Sequence, residues 1–198
     1  MPESRYPTLE EFWDRLAARR VEPDLRKKLR ERTKREQISV SRVGVSGTVI
    51  AVAARLLPGN VPAEALAAFL DEAFDKQLGR GDEQVGLLPR EELFPAGFAV
   101  IDEESRSRHG KAFHDLSSTQ QDELLTAAEK GQLDGPDGFE ASAWFMRVRD
   151  LLLLAFGSDP RGMVQMGFPG PSYMPGHIWL DGGEVQARAD RKPGYLIL

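Results

Sequence analysis

The 198-residue chain contains no cysteine, and this absence removes three kinds of chemistry. Disulfide bonds, thiolate catalysis and zinc sites with thiolate ligands all require that residue. The sequence also lacks the glycine pattern of a dinucleotide-binding turn, a Walker loop, a nucleophile elbow and a His-Glu-x-x-His zinc helix. The enzyme classes that depend on these motifs are therefore poor candidates.

Long hydrophobic runs are absent as well. The most apolar windows, 45–57 and 151–156, are much shorter than the roughly 20 residues that a membrane helix needs. The first 20 residues mix charged and aromatic side chains and contain no apolar stretch of the kind found in signal peptides. We therefore expect a cytoplasmic protein without membrane insertion.

The charge balance is acidic, with a formal net charge of -5 and an isoelectric point near 5.3. The electrostatic field of a protein with this net negative charge repels phosphate groups, so nucleic acid and anionic lipid are not expected partners. Hydrophobic residues make up 41% of the chain and charged residues 29%. This composition is typical of a globular protein with one full hydrophobic core.

Helical signals dominate the sequence up to residue 158. Capping boxes begin at Thr8 and at Ser117, and apolar residues follow each of them at helical spacing. Helical patterns cover 8–20, 24–36, 47–57, 61–78, 90–108, 117–131 and 139–156. The pattern at 24–36 is strongly basic. Pro95 and Gly97 weaken the helix prediction at 90–108. The unbroken apolar run Leu151 to Leu154 predicts that the last helix is central.

The last 40 residues differ in composition, with seven glycines and five prolines and no helical period. A short hairpin is possible between 177–180 and 184–187. The tail is nevertheless too apolar for a solvated linker, which favours contact with another protein over wrapping its own domain.

The sequence therefore predicts a mostly α fold, with a compact domain of about six helices and a long irregular tail. Three segments make up one structural domain overall. They are an N-terminal helical segment with a basic helix at 1–44, a helical core at 45–158 and an extended tail at 159–198.

One group of residues could bind a metal ion, because imidazoles and carboxylates lie close in sequence. The group consists of Asp102, Glu103, Glu104, His109 and His114. A purely structural role for these residues is better supported than a metal site. His109 precedes a helix-stopping glycine and suits the negative end of a helix. A small metal-assisted hydrolase or isomerase that uses His109 and His114 remains the alternative function.

Seven sequence segments follow one another in a distinctive order. They are Ile50 to Gly59, Val61 to Asp71, His109 to Ser117, Gln120 to Leu125, Phe145 to Leu151, Phe156 to Pro160 and Met166 to Pro171. This ordered set resembles the gluconate 2-dehydrogenase subunit 3 family, and the resemblance spans about Val45 to Tyr173. Two features depart from the family's pattern. The twin-arginine export signal of many relatives is missing, and Gly157 to Gly162 lacks a Gly-Gly-Asn that some relatives carry.

The resemblance implies a helical accessory subunit of a sugar or polyol dehydrogenase complex. It implies that a glucose-methanol-choline type flavoprotein, the large subunit, carries the FAD and the catalytic base. No catalytic residue, cofactor or metal is then expected in this chain. The predicted contact residues for the large subunit are Phe168, Pro169, Gly170, Tyr173, Trp179 and Tyr195.

Overall fold

The structure is a computed structural model that describes residues 8–18, 21, 23–34, 43–44, 46–57, 59–76, 88–167, 180–181 and 184–185. Within these ranges the chain forms eight α-helices, one 3-10 turn and two short strands. The helices are α1 Leu9–Ala18, α2 Pro23–Arg32, α3 Ser46–Leu56, α4 Ala63–Asp75, α5 Arg90–His109, α6 Ser118–Glu129, α7 Ala141–Ser158 and α8 Pro160–Gln165. The predicted mostly α fold class is confirmed.

Local signals in the sequence set the ends of several helices. The Thr8 hydroxyl accepts a hydrogen bond from the Glu11 amide at 3.1 Å, and the Thr8 amide donates to Glu11 Oε2 at 2.7 Å. Ser117 and Gln120 form the same reciprocal capping box at the start of α6. Gly110 ends α5 with a left-handed φ of 69°, a conformation that favours glycine. Both predicted capping boxes are confirmed.

Helix α5 continues through Pro95 and Gly97, the two residues that weakened its prediction. The proline removes a single amide donor, close to the start of the helix. Gly97 has a packing role, because a Cβ at this position would stand 2.2 Å from Trp144 Cδ1. The missing side chain allows α5 and α7 to approach closely.

The larger core lies among α3, α4, α5, α6 and α7. Trp144 of α7 is 1% exposed and contacts the Phe98 ring edge to face, with ring centroids 5.2 Å apart. Arg55 of α3 forms an exposed bidentate ion pair with Asp122 of α6. The side-chain hydrogen bond with Asp122 raises the pKa of Arg55 above its ordinary value. Together these contacts join the helices of the predicted core domain.

A smaller cluster joins α1, α2 and α8. Its buried apolar residues are Phe12, Leu16, Val21, Leu29 and Val164. The guanidinium of Arg30 lies 5.4 Å from the centre of the Trp13 ring, a cation–π contact between α2 and α1. Arg32 Nη1 donates to the Ser158 carbonyl at 3.0 Å and so connects α2 to the end of α7.

The prediction of an extended tail from residue 159 is wrong for residues 160–165, which form α8. Asp159 caps this helix by accepting a hydrogen bond from the Arg161 amide at 2.8 Å, and Pro160 occupies the first helical position. Both features are standard start signals. Val164 then buries its side chain in the smaller cluster, which stabilises a helix too short to persist alone.

The two strands, β1 Leu180–Asp181 and β2 Glu184–Val185, pair in antiparallel fashion. In the backbone register Leu180 pairs with Val185 and Asp181 with Glu184. The other residues of the predicted hairpin lie outside the described residues. Across the described ranges, no helix combines the length and apolar character needed to cross a membrane.

Candidate functional site

The structure separates the five residues of the candidate metal group. Asp102 is buried, Glu103 is exposed, and Glu104 bonds Arg108 one turn further along α5. In the described part of the chain, no three His, Asp or Glu side chains come together to hold an ion. The sequence proximity of these residues therefore does not produce a shared site.

The buried carboxylate of Asp102 connects three elements. Its Oδ1 accepts hydrogen bonds from the Phe113 amide at 2.9 Å and from the Thr48 hydroxyl at 3.2 Å. Its Oδ2 pairs with Arg106 Nη2 at 2.6 Å. Asp102 therefore fixes the 3-10 turn, Phe113–Asp115, and helix α3 against α5. Sequence reasoning missed Thr48, which lies in an apolar stretch and gives no pattern of its own.

The two histidines have different neighbours. His109 belongs to the last turn of α5, and its Nδ1 lies 3.2 Å from Gln120 Nε2. His114 lies against the backbone of Gly47, since a Cβ there would stand 3.0 Å from the His114 ring. These contacts favour the packing and helix-terminus roles over a shared metal.

The surface of the described chain includes a strip of exposed apolar side chains. The four exposed large hydrophobic residues of that part are Met146 at 42%, Leu153 at 48%, Leu154 at 54% and Met166 at 55%. Met146 is seven residues before Leu153 and eight before Leu154, so the three side chains lie within an arc of about 100° on α7. Met166 Cε lies 3.7 Å from the point where a Cβ on Gly157 would stand, one turn after Leu153. We call these four side chains the α7–α8 strip.

Helix α7 packs against α3, α4, α5, α6 and α8, as the prediction of a central helix from the run Leu151 to Leu154 requires, but only part of that run faces the core. Leu152 is fully buried, whereas Leu153 and Leu154 face outward. Successive helical residues are separated by about 100°, so four consecutive side chains cannot all face one core. The unbroken run was thus itself a signal of an apolar outer face.

One charged pair lies within the strip. Asp150 is four residues after Met146 and three before Leu153, so it shares their side of α7. Its side chain is 63% exposed, and Oδ1 accepts from Arg149 Nη2 at 2.9 Å and Nε at 3.2 Å. Arg149 therefore compensates part of the charge of this exposed carboxylate.

All six predicted contact residues lie outside the described residues. They are Phe168, Pro169, Gly170, Tyr173, Trp179 and Tyr195. The described chain reaches Gly167, directly after Met166 of the strip. The strip therefore adjoins the start of the segment predicted to contact the large subunit.

Comparison with known families gives a match to the family model described as gluconate 2-dehydrogenase subunit 3, over residues 46–175. The chain belongs to this family. The match confirms the resemblance seen in the sequence, and the family implies a subunit of a dehydrogenase complex. Comparisons with curated proteins and with solved structures find no match.

The matched region of the subunit 3 chain begins at the first residue of α3 and extends past α8. It therefore contains all five helices of the larger core and the whole α7–α8 strip. Helices α1 and α2, with the basic surface of α2, lie before it. Features common to subunit 3 proteins should accordingly be sought between α3 and α8.

Proposed function

We propose that this chain is a non-catalytic accessory subunit that binds and stabilises a glucose-methanol-choline type flavoprotein. In this proposal the large subunit holds the FAD and oxidises a hydroxyl group of a sugar, sugar acid or polyol. The observation that carries the proposal is the family match over residues 46–175, about two thirds of the chain.

The contacts of the candidate catalytic residues support a non-catalytic role. A general acid or base must reach the proton that it transfers. Asp102 is instead buried, with its carboxylate engaged by Phe113, Thr48 and Arg106. His109 contacts Gln120 at a helix end. These side chains connect helices, which is what a stable docking subunit requires.

Stabilisation of the large subunit follows from mass action. A partner that binds only the folded state stabilises it by about 2.7 kcal/mol when its free concentration is 100 times the Kd. We propose that the predicted contacts Phe168, Tyr173 and Trp179 contribute to this binding, because aromatic side chains often dominate subunit interfaces. No proton or electron needs to pass through the accessory subunit.

Co-expression tests the proposal. The chain is produced with a glucose-methanol-choline type large subunit from the same genome, and the flavin absorbance is recorded across a size-exclusion peak. We expect a yellow complex that contains both chains, and a several-fold loss of soluble large subunit when this chain is omitted. A colourless 22.0 kDa monomer that leaves the large subunit's yield and flavin content unchanged would overturn the proposal.

A further inference from the structure

Two surfaces of the described chain are candidates for docking, and they differ in chemistry. The α7–α8 strip is apolar. The exposed surface of α2 is basic and contains Lys27, Lys28 and Arg30. A basic helix is most often simply a solvated surface, whereas exposed apolar clusters frequently mark protein contacts.

The family match distinguishes the two surfaces. Docking onto a dehydrogenase is the role proposed for this family, so its anchor should lie in the part of the chain that the family model covers. The strip, residues 146–166, lies inside the matched range 46–175. Helix α2, Pro23–Arg32, lies before it.

We propose that the α7–α8 strip is the central anchor of the subunit interface and occupies an apolar, uncharged groove on the large subunit. This inference rests on the proposed function and identifies the surface that performs it. Met146 and Leu154 are eight residues apart, so the strip extends about 12 Å along α7. A standard interface buries about 800 Å² on each side. Four side chains therefore form its centre, surrounded by further contacts.

The charge arrangement indicates the nature of the opposing groove. An unpaired carboxylate is costly to bury, and a paired one costs less although both charges still lose hydration. Asp150 enters the interface with Arg149 already bound to its Oδ1. The groove consequently needs no positive charge opposite the strip, and a largely aliphatic or aromatic lining fits it.

The main test places a charge in the strip and compares it with the same charge elsewhere. Leu154→Asp changes a strip residue, and Thr126→Asp changes an exposed position inside α6. Titration of the flavin-loaded large subunit measures the Kd of each variant. We expect Leu154→Asp to weaken binding by about 30-fold or more, the level of an interface hot spot, and Thr126→Asp to change it less than threefold. Thermal unfolding of each isolated variant verifies that it is folded.

A second comparison examines the charged pair. Arg149→Ala leaves Asp150 unpaired, so we expect weaker binding of the large subunit. The double variant Arg149→Ala/Asp150→Ala removes the carboxylate as well, and we expect it to recover most of the affinity. A direct contact between Arg149 and the large subunit would instead leave the double variant as weak as the single one, which would contradict an uncharged groove.

The possible results separate the two proposals. If the wild-type chain forms no complex with the large subunit, the proposed function fails and the inference fails with it. If the wild type binds and Leu154→Asp binds equally well, only the inference is overturned. An isolated wild-type dimer that Leu154→Asp converts to a monomer, with large-subunit binding unchanged, would assign the strip to a second copy of this chain and would also overturn it.

Discussion

The larger core and the smaller cluster differ in how they are built. The larger core draws buried side chains from five consecutive helices, α3 to α7. Among the described residues, the smaller cluster has five buried apolar side chains and joins α1 and α2 to α8. The family match covers all five helices of the larger core and α8 but neither α1 nor α2. The two N-terminal helices pack on α8 through a cluster that is separate from the larger core, and we therefore expect the two regions to unfold separately.

The largest expected effect comes from one substitution made in both regions. Leu152 in the larger core and Leu16 in the smaller cluster are each fully buried. Leu152→Ala should lower the free energy of unfolding by about 3–5 kcal/mol, since it leaves a cavity in a dense core. Leu16→Ala removes the same atoms, but the loss should remain confined to α1 and α2. Denaturant unfolding measures the free-energy loss in Leu152→Ala. Native-state hydrogen exchange shows which helices lose protection in Leu16→Ala.

The comparison between regions would fail on one outcome of that experiment. If Leu16→Ala reduced the exchange protection of α4 and α7 as much as that of α1, the chain would unfold as a single unit. An equal drop in protection would show that the smaller cluster is an integral part of the core. A drop limited to residues 9–32 would support the separation.

The sequence predicted most of the fold because local signals and periodicity agree in the larger core. The capping boxes at Thr8 and Ser117 and the stop at Gly110 act through neighbouring residues, so they can be recognised without tertiary information. Helix α8 was missed since six residues are too few to show a period, and burial of Val164 stabilises it. Its Asp159 and Pro160 were nevertheless visible as a start signal.

The candidate site was harder to predict than the fold. Asp102 belonged to an acidic and histidine-containing stretch, but its actual partners, Thr48 and the Phe113 amide, are brought together only by packing. The outward orientation of Leu153 and Leu154 depends on which side of α7 the core occupies. Periodicity shows that an apolar run must have an outer side, while tertiary structure determines which residues form it.

An intermediate effect is expected at Asp102, which connects elements of the larger core. Asp102→Ala leaves the buried Phe113 amide without its acceptor, at a cost of about 2–3 kcal/mol in unfolding free energy. Asp150→Ala on α7 is the matched control, because Asp150 is mostly exposed and should change stability by less than about 0.5 kcal/mol. Urea denaturation measures both. Equal effects of the two variants would contradict the connecting role of Asp102.

A further effect, local to α8, is expected at Asp159, where the smaller cluster meets the larger core. Asp159→Ala removes the acceptor for the Arg161 amide at the start of α8 and also the carboxylate that pairs with the nearly buried Arg161 guanidinium. It should therefore cost more than the roughly 1 kcal/mol of a helix cap alone. Asp159→Asn keeps a capping oxygen, so it should cost less. Hydrogen exchange should show the loss in α8 and in Leu16 and Leu29, which pack in the same cluster. Unchanged exchange in α1 and α2 together with faster exchange in α8 would show that the N-terminal helices do not depend on α8. The two regions would then have to be connected mainly through the hydrogen bond from Arg32 to the Ser158 carbonyl.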